Sequence, residues 1–189
     1  MPRIFFASLP SAAWSKEALQ RFNPLGLMGE LGTALFPSRN WHQSFSERIF
    51  DPTTMERDAL LRVGDRISAH ACTLLFNRIE GPDLSAPKQH CTLRAYGKPK
   101  AFQRLLSAVQ RPLIDAGFGQ IATGVTPHIT LSYRAPRAFK NIPLEPEIPW
   151  AIDTMFLVIG GGDPYGYEIV GSWPLLPELD PPITQSSLF

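Results

Sequence analysis

With 189 residues, 44% of them hydrophobic, the chain can bury a core of its own, and its length fits one domain better than two. Lys and Arg total 18 against 17 Asp and Glu, a formal net charge of +1; this excludes a protein that coats nucleic acid electrostatically, while leaving room for a local patch that meets one RNA end. The two cysteines, Cys72 and Cys91, form no Cys-x-x-Cys pair and predict buried thiols in a reducing cytoplasm.

Met1-Pro2-Arg3 leads straight into Ile4-Phe5-Phe6-Ala7, without the apolar region and small-residue cleavage site of a secretion leader. No apolar run approaches the ~20 residues that span a bilayer, so no membrane segment is expected. Residues 3–7 predict a strand buried on both faces. Ser11 is placed to cap a helix in which Trp14, Ala18 and Phe22 recur at four-residue spacing, before Asn23-Pro24 stops it. Residues 25–40 predict a loop with one helical turn.

In Trp41-His42-Gln43-Ser44-Phe45-Ser46 the side chains alternate at period two, so His42, Ser44 and Ser46 share one face and Trp41 and Phe45 the other. Thr53 and Glu56 stand at capping-box spacing, opening a helix with Met55, Ala59, Leu60, Val63 and Ile67 on its inner stripe. Residues 71–79 and 89–96 predict two strands. A third helix begins near Pro99 and turns Phe102, Leu105, Leu106 and Val109 inward; Pro112 is expected to kink or end it, with Gly117 as terminator.

Thr126 to Tyr133 form the second alternating stretch, with His128, Thr130 and Ser132 on one face and Ile129, Leu131 and Tyr133 toward a core. The proline-rich residues 135–149 predict a loop at the cleft rim carrying Arg137 and Lys140. Residues 150–159 predict a strand, Gly160-Gly161-Gly162-Asp163-Pro164 a turn, and residues 167–173 the returning hairpin partner. The glycine run lacks the lysine and following helix of a phosphate-binding loop. Residues 176–189 predict an extended proline-rich tail, in which Gln185-Ser186-Ser187-Leu188-Phe189 is similar to the pentapeptide by which bacterial proteins dock on the sliding clamp.

Strands and helices interleave, yet several strand pairs are joined as hairpins, which fits an α+β class better than a doubly wound sheet. The expected architecture is one bilobal domain over residues 1–175, two pseudo-symmetric antiparallel or mixed sheets around a central cleft with helices outside. Each half contributes one His-x-(Ser/Thr) strand to that cleft. His90-Cys91-Thr92 is a third such string. Only a helix separates it from His128, so it is expected beside His128 in one lobe; His70 is expected at the surface. No His, Cys or carboxylate cluster has metal-ligand spacing.

His42-Gln43-Ser44 and His128-Ile129-Thr130, together with residues 3–7, 126–131 and 167–175, resemble the signatures of the two-histidine phosphoesterases, and among them the bacterial 2′-5′ RNA ligase/RNA 2′,3′-cyclic phosphodiesterase family. The resemblance implies a bilobal fold, no metal, no nucleotide cofactor, and opening of a 2′,3′-cyclic phosphate at an RNA 3′ end to leave a 2′-phosphate, with reversible 2′-5′ RNA ligation as an accompanying reaction. It also assigns His128 as the base toward water and His42 as the acid toward the departing oxygen. The alternatives are the same chemistry on a small cyclic nucleotide phosphate or a 2′-5′ oligonucleotide, and an RNA-end-binding module without turnover. Two features depart from the family: Ser44 replaces a common threonine, keeping the hydroxyl with a looser rotamer, and the run before His42 is unlike the usual segment.

The residue types suit that chemistry. Two imidazoles with ordinary pKa ~6.5 can take one proton and give another near pH 7. Ser44 and Thr130, ~6.6 Å along each strand from their histidines, can donate to the non-bridging phosphate oxygens. Arg48 and Arg134 continue the same faces ~20 Å along the strands, a distance that assigns them to flanking nucleotides.

Overall fold

The computed structural model describes residues 1–83, 85 and 89–182. In chain order it contains β1 (Arg3–Ser8), α1 (Ala12–Phe22), α2 (Leu27–Leu31), β2 (Gln43–Ser44), β3 (Ile49–Phe50), α3 (Thr54–Gly64), β4 (Cys72–Glu80) and β5 (Cys91–Ala95). There follow α4 (Lys100–Asp115), β6 (His128–Ser132), β7 (Ile142–Ile152), β8 (Thr154–Gly161) and β9 (Gly166–Pro174). The first sheet runs β2-β1-β8-β9 with β3 also on β1, and the second runs β6-β5-β4-β7. Every ladder is antiparallel. The expected α+β, two-sheet architecture is therefore present. Its sheets do not coincide with halves of the chain, because the first sheet takes strands from both ends and the second is built from the middle.

Local signals explain most elements. Ser11 Oγ accepts from Trp14 N at 3.1 Å to cap α1, and Thr53 and Glu56 form a reciprocal capping box at α3. Met55, expected on the inner stripe, is 80% exposed. It lies in the first turn, ahead of the Leu60 and Val63 face that meets the core. α4 does not stop at Pro112. It continues to Asp115, because Leu113 extends the buried stripe and its burial offsets the one backbone bond the proline removes. Gly117, at φ 86°, then supplies the left-handed residue that ends it.

The largest departure lies at residues 142–159. The expected rim loop is largely strand β7, and the expected single strand is divided at Asp153 between two sheets. β7 is the edge of its sheet, with Pro143 opposite Arg78 and Pro149 opposite Leu75. An edge strand needs ladder partners on one side only, so prolines that would disrupt an interior strand are tolerated there.

One apolar cluster spans both sheets and the helices, with Phe6, Trp41, Phe45, Phe76, Phe102, Ile129 and Leu131 fully buried. On the opposite face of β1, Phe5, Ala7 and Val158 form a second, smaller cluster. β1 is thus covered on both faces. Cys72 and Cys91 are buried, unpaired thiols. Beyond β9 the chain stays attached: Leu176 exchanges backbone bonds with residues 69 and 71, and Glu178 accepts from Thr73 N and Oγ1 at 2.8 and 2.7 Å. Residues 185–189, with the sliding-clamp resemblance, lie outside the described residues. Among the described residues, no helix is long and apolar enough to cross a membrane.

Candidate active site

The first histidine stands at an interrupted sheet edge. Ser44 pairs with Ala7 and Ile49 with Ile4 along β1, so the four residues 45–48 lie opposite only Phe5 and Phe6. The surplus makes a bulge. Phe45 N donates to Phe6 O at 2.8 Å, and Ser46 Oγ accepts from Phe6 N at 3.0 Å, replacing the missing ladder acceptor. The second histidine opens β6, also an edge strand, where His128 lies opposite Arg94 and Thr130 opposite Thr92.

The two edges border one cavity of about 430 Å³, whose lining includes His42, Ser44 and Arg48 from the first sheet's side and His128, Thr130 and Tyr133 from the second's. Arg3 and His90 also line it. The bulge corrects the expected ~20 Å displacement of Arg48, because the surplus residues fold it back onto the cavity that holds both histidines. Arg134 is exposed, lies outside that lining and bridges Gln89 through its backbone.

Two further expectations about faces change. Ser132 is fully buried and accepts from Arg134 N at 3.1 Å, so it belongs to the interior. Tyr133, expected in the core, lines the cavity and accepts from Arg48 Nη2 at 3.5 Å. His90 precedes β5, the strand beside β6, and its ring lies 4.8 Å from that of Tyr133. His70 is half-buried, its Nδ1 2.7 Å from Pro177 O on the terminal segment. Arg137 pairs with Glu30 at 2.6 Å.

Both imidazoles are oriented by the same local device. His42 Nδ1 lies 3.1 Å from Asn40 O, and His128 Nδ1 lies 2.9 Å from Thr126 O, each carbonyl two residues upstream. A carbonyl can only accept, so each neutral ring carries its proton on Nδ1 and leaves Nε2 as a free base. Tyr167 Oη adds a contact of 2.9 Å to His42 Nδ1, while the Phe5 ring packs 5.2 Å from the imidazole.

Burial is the main cause that lowers the pKa of His42 to about 4; the Asn40 hydrogen bond opposes it, and the positive charges of Arg48, His128 and Arg3 reinforce it. His128 is also lowered, chiefly by burial, with the Thr126 carbonyl opposing and Arg94, His90 and Arg48 reinforcing. Near pH 7 both imidazoles are therefore neutral beside fixed guanidinium charge. That arrangement attracts an anion.

His42 also links this geometry to stability. In the unfolded chain it takes a proton as pH falls through ~6.5, whereas the folded chain resists protonation until about 4. The resulting stability is complete above pH 6.5 and is lost as pH falls, a decrease of roughly 3 kcal/mol by pH 4. Denaturant unfolding at pH 7 and pH 4.5 should show this loss, and His42→Gln should reduce it. An equal loss in the variant would assign the acid sensitivity to other groups.

Asn40, Gln43, Tyr133 and Tyr167 belong to the site although no sequence motif assigns them there. Gln43 had one readable signal: alternation placed an amide on the core face with Trp41 and Phe45, where a polar side chain needs partners. Tyr167 had none, since its contact with His42 depends on β9 joining β1 through β8.

No protein-family model matches the chain, and no curated protein matches it. Solved structures do. One is the crystal structure of a phosphoesterase, with TM-score 0.74 and 19% identity over 93% of this chain and 99% of that one. E. coli LigT complexed with 3′-AMP gives TM-score 0.73 and 19% identity over 92% and 96% of the two chains. TT0787 of Thermus thermophilus gives 0.70 and 17% over 93% and 99%. Along nearly its whole length, this chain has the bilobal α+β fold of those phosphoesterase and LigT structures.

Proposed function

We propose that the protein is a metal-independent phosphoesterase that opens 2′,3′-cyclic phosphates at RNA 3′ ends, leaving a 2′-phosphate. The observation that carries this reading is the single cavity into which opposed sheet edges bring His42 and His128, with the hydroxyls of Ser44 and Thr130 and the charge of Arg48. His128 Nε2 takes a proton from the attacking water as its oxygen bonds to phosphorus. The bond from phosphorus to the ribose 3′ oxygen breaks, and His42 Nε2 gives that oxygen its proton. Ser44, Thr130 and Arg48 stabilise the negative charge on the non-bridging oxygens.

His42 is neutral before substrate arrives, so its acid role depends on the phosphate's own negative charge raising its proton affinity once bound. In 2′-5′ ligation a 5′-hydroxyl would take the place of water in the same displacement with the two roles kept, and cleavage of the 2′-5′ linkage, its reverse, would exchange them. Buried, unpaired thiols suit a reducing cytoplasm as the place of action.

An RNA oligonucleotide ending in a 2′,3′-cyclic phosphate, incubated with the protein in excess EDTA, is expected to give the 2′-phosphate. Loss of turnover on chelation would overturn the metal-independent mechanism. The cavity is also sized for a mononucleotide, and E. coli LigT was solved with 3′-AMP. A small cyclic nucleotide phosphate therefore belongs in the same assay, and its turnover with the oligonucleotide left inert would transfer the activity to that substrate. Binding of the oligonucleotide end without any product would identify an RNA-end-binding module instead.

A further inference from the structure

Gln43, the residue between His42 and Ser44, has its side chain completely buried. Its Oε1 accepts from the backbone N–H of His128 at 2.7 Å, and its Nε2 donates to Thr126 O at 3.2 Å and to Ser44 O at 2.9 Å. These partners fix the direction of the amide. Turned the other way, it would set its oxygen against two carbonyl oxygens and its N–H against another N–H. Gln43 belongs to the edge of the first sheet, while Thr126 and His128 stand at the start of the edge strand of the second. One side chain therefore joins the two histidine segments across the cleft.

Thr126 O has a second donor, the Nδ1–H of His128 at 2.9 Å. Its two lone pairs thus serve Gln43 and the ring of His128. The amide holds in place the oxygen that selects the His128 tautomer, and through Oε1 it also holds the backbone of His128. We infer that Gln43 is a positioning residue for the proposed reaction, locking His128 with Nε2 free for the cavity and setting the span between the two histidines. This rests on the paired-histidine reading above.

Misplacing a reacting group by about an ångström costs ~10²-fold in rate. Gln43→Leu, similar in size but without an amide, is expected to lower kcat by that order and to change KM little. Gln43→Glu gives a sharper test. It retains the acceptor for His128 N, but its second oxygen opposes Thr126 O and Ser44 O unless protonated, when it can donate to one of them. Its kcat relative to the unaltered protein should therefore rise as pH falls. Taking that ratio at each pH removes the fixed fields of Arg48 and Arg94, which both proteins share, and the histidine pKa values read by NMR in each protein account for what an ionised carboxylate at position 43 adds to the titration of His42 and His128.

A readout that needs no turnover is the nitrogen NMR of histidine-labelled protein. The unaltered chain should show His128 as one Nδ1–H tautomer, and Gln43→Leu should show a mixture. A single Nδ1–H tautomer in Gln43→Leu with kcat unchanged would overturn the inference. So would a Gln43→Glu ratio that is flat with pH, which decides the matter should the leucine variant not fold. If the unaltered protein turns over no cyclic phosphate, the catalytic reading falls by itself and the tautomer comparison alone decides the positioning role.

Discussion

His42→Ala and His128→Ala are each expected to lower kcat/KM on a 2′,3′-cyclic phosphate by ~10²–10⁴-fold, the range of a positioned general acid or base. The double variant should lose little beyond the worse single one, because an acid and a base that act in one displacement fail as a unit. Losses should be of similar size in both variants, since one displacement requires both proton transfers. Folding is not expected to confuse the result: His42 immediately precedes a short edge strand and His128 takes the first position of another, with neither in the main apolar cluster. Steady-state kinetics on the cyclic phosphate, with circular dichroism as the folding check, measures this. Turnover that survives in His42→Ala would end the paired mechanism.

Thr130→Val is expected to cost ~10²-fold in kcat, as removal of one preorganised donor to a developing oxyanion does. The substitution keeps the β-branched shape, so the strand and its pairing with Thr92 persist while only the hydroxyl goes. Thr130 is buried to 8% exposure, where a donor aimed at charge is worth more than one in water. Ser44→Ala should act in the same direction with a smaller loss, because Ser44 is only half-buried and its rotamer is less restricted. Single-turnover rates, which isolate the chemical step, distinguish these changes from altered binding. An unaffected rate in Thr130→Val would remove that hydroxyl from the reaction.

Local patterns made much of this molecule legible. The alternation at residues 41–46 and 126–133 grouped His42 with Ser44 and His128 with Thr130, four residues that line one cavity, and the caps at Ser11 and Thr53 fixed two helix starts. What escaped was set by partners far along the chain. The bulge that returns Arg48 to the cavity exists because residues 43–50 must follow β1, and nothing within residues 43–50 records how many residues of β1 they face. β7 escaped because its prolines read as loop until its edge position is known. Tyr133 escaped because period two assigned it inward, whereas β6 ends at Ser132 and releases it.

The nested order of the strands also has a consequence during synthesis. β1 leaves the ribosome ahead of its central neighbour β8, which pairs Ala7 with Phe156 and Arg3 with Gly160 and is made roughly 150 residues later. At ordinary translation speeds that delay is on the order of 10 s. Throughout it, Ile4, Phe5, Phe6 and Ala7, all fully buried in the finished protein, have an open flank that a neighbouring nascent chain can occupy. The middle sheet needs only residues 72–152 and can close without waiting. Chaperone demand should therefore concentrate on β1, the strand whose Phe5 ring packs against His42 in the finished protein.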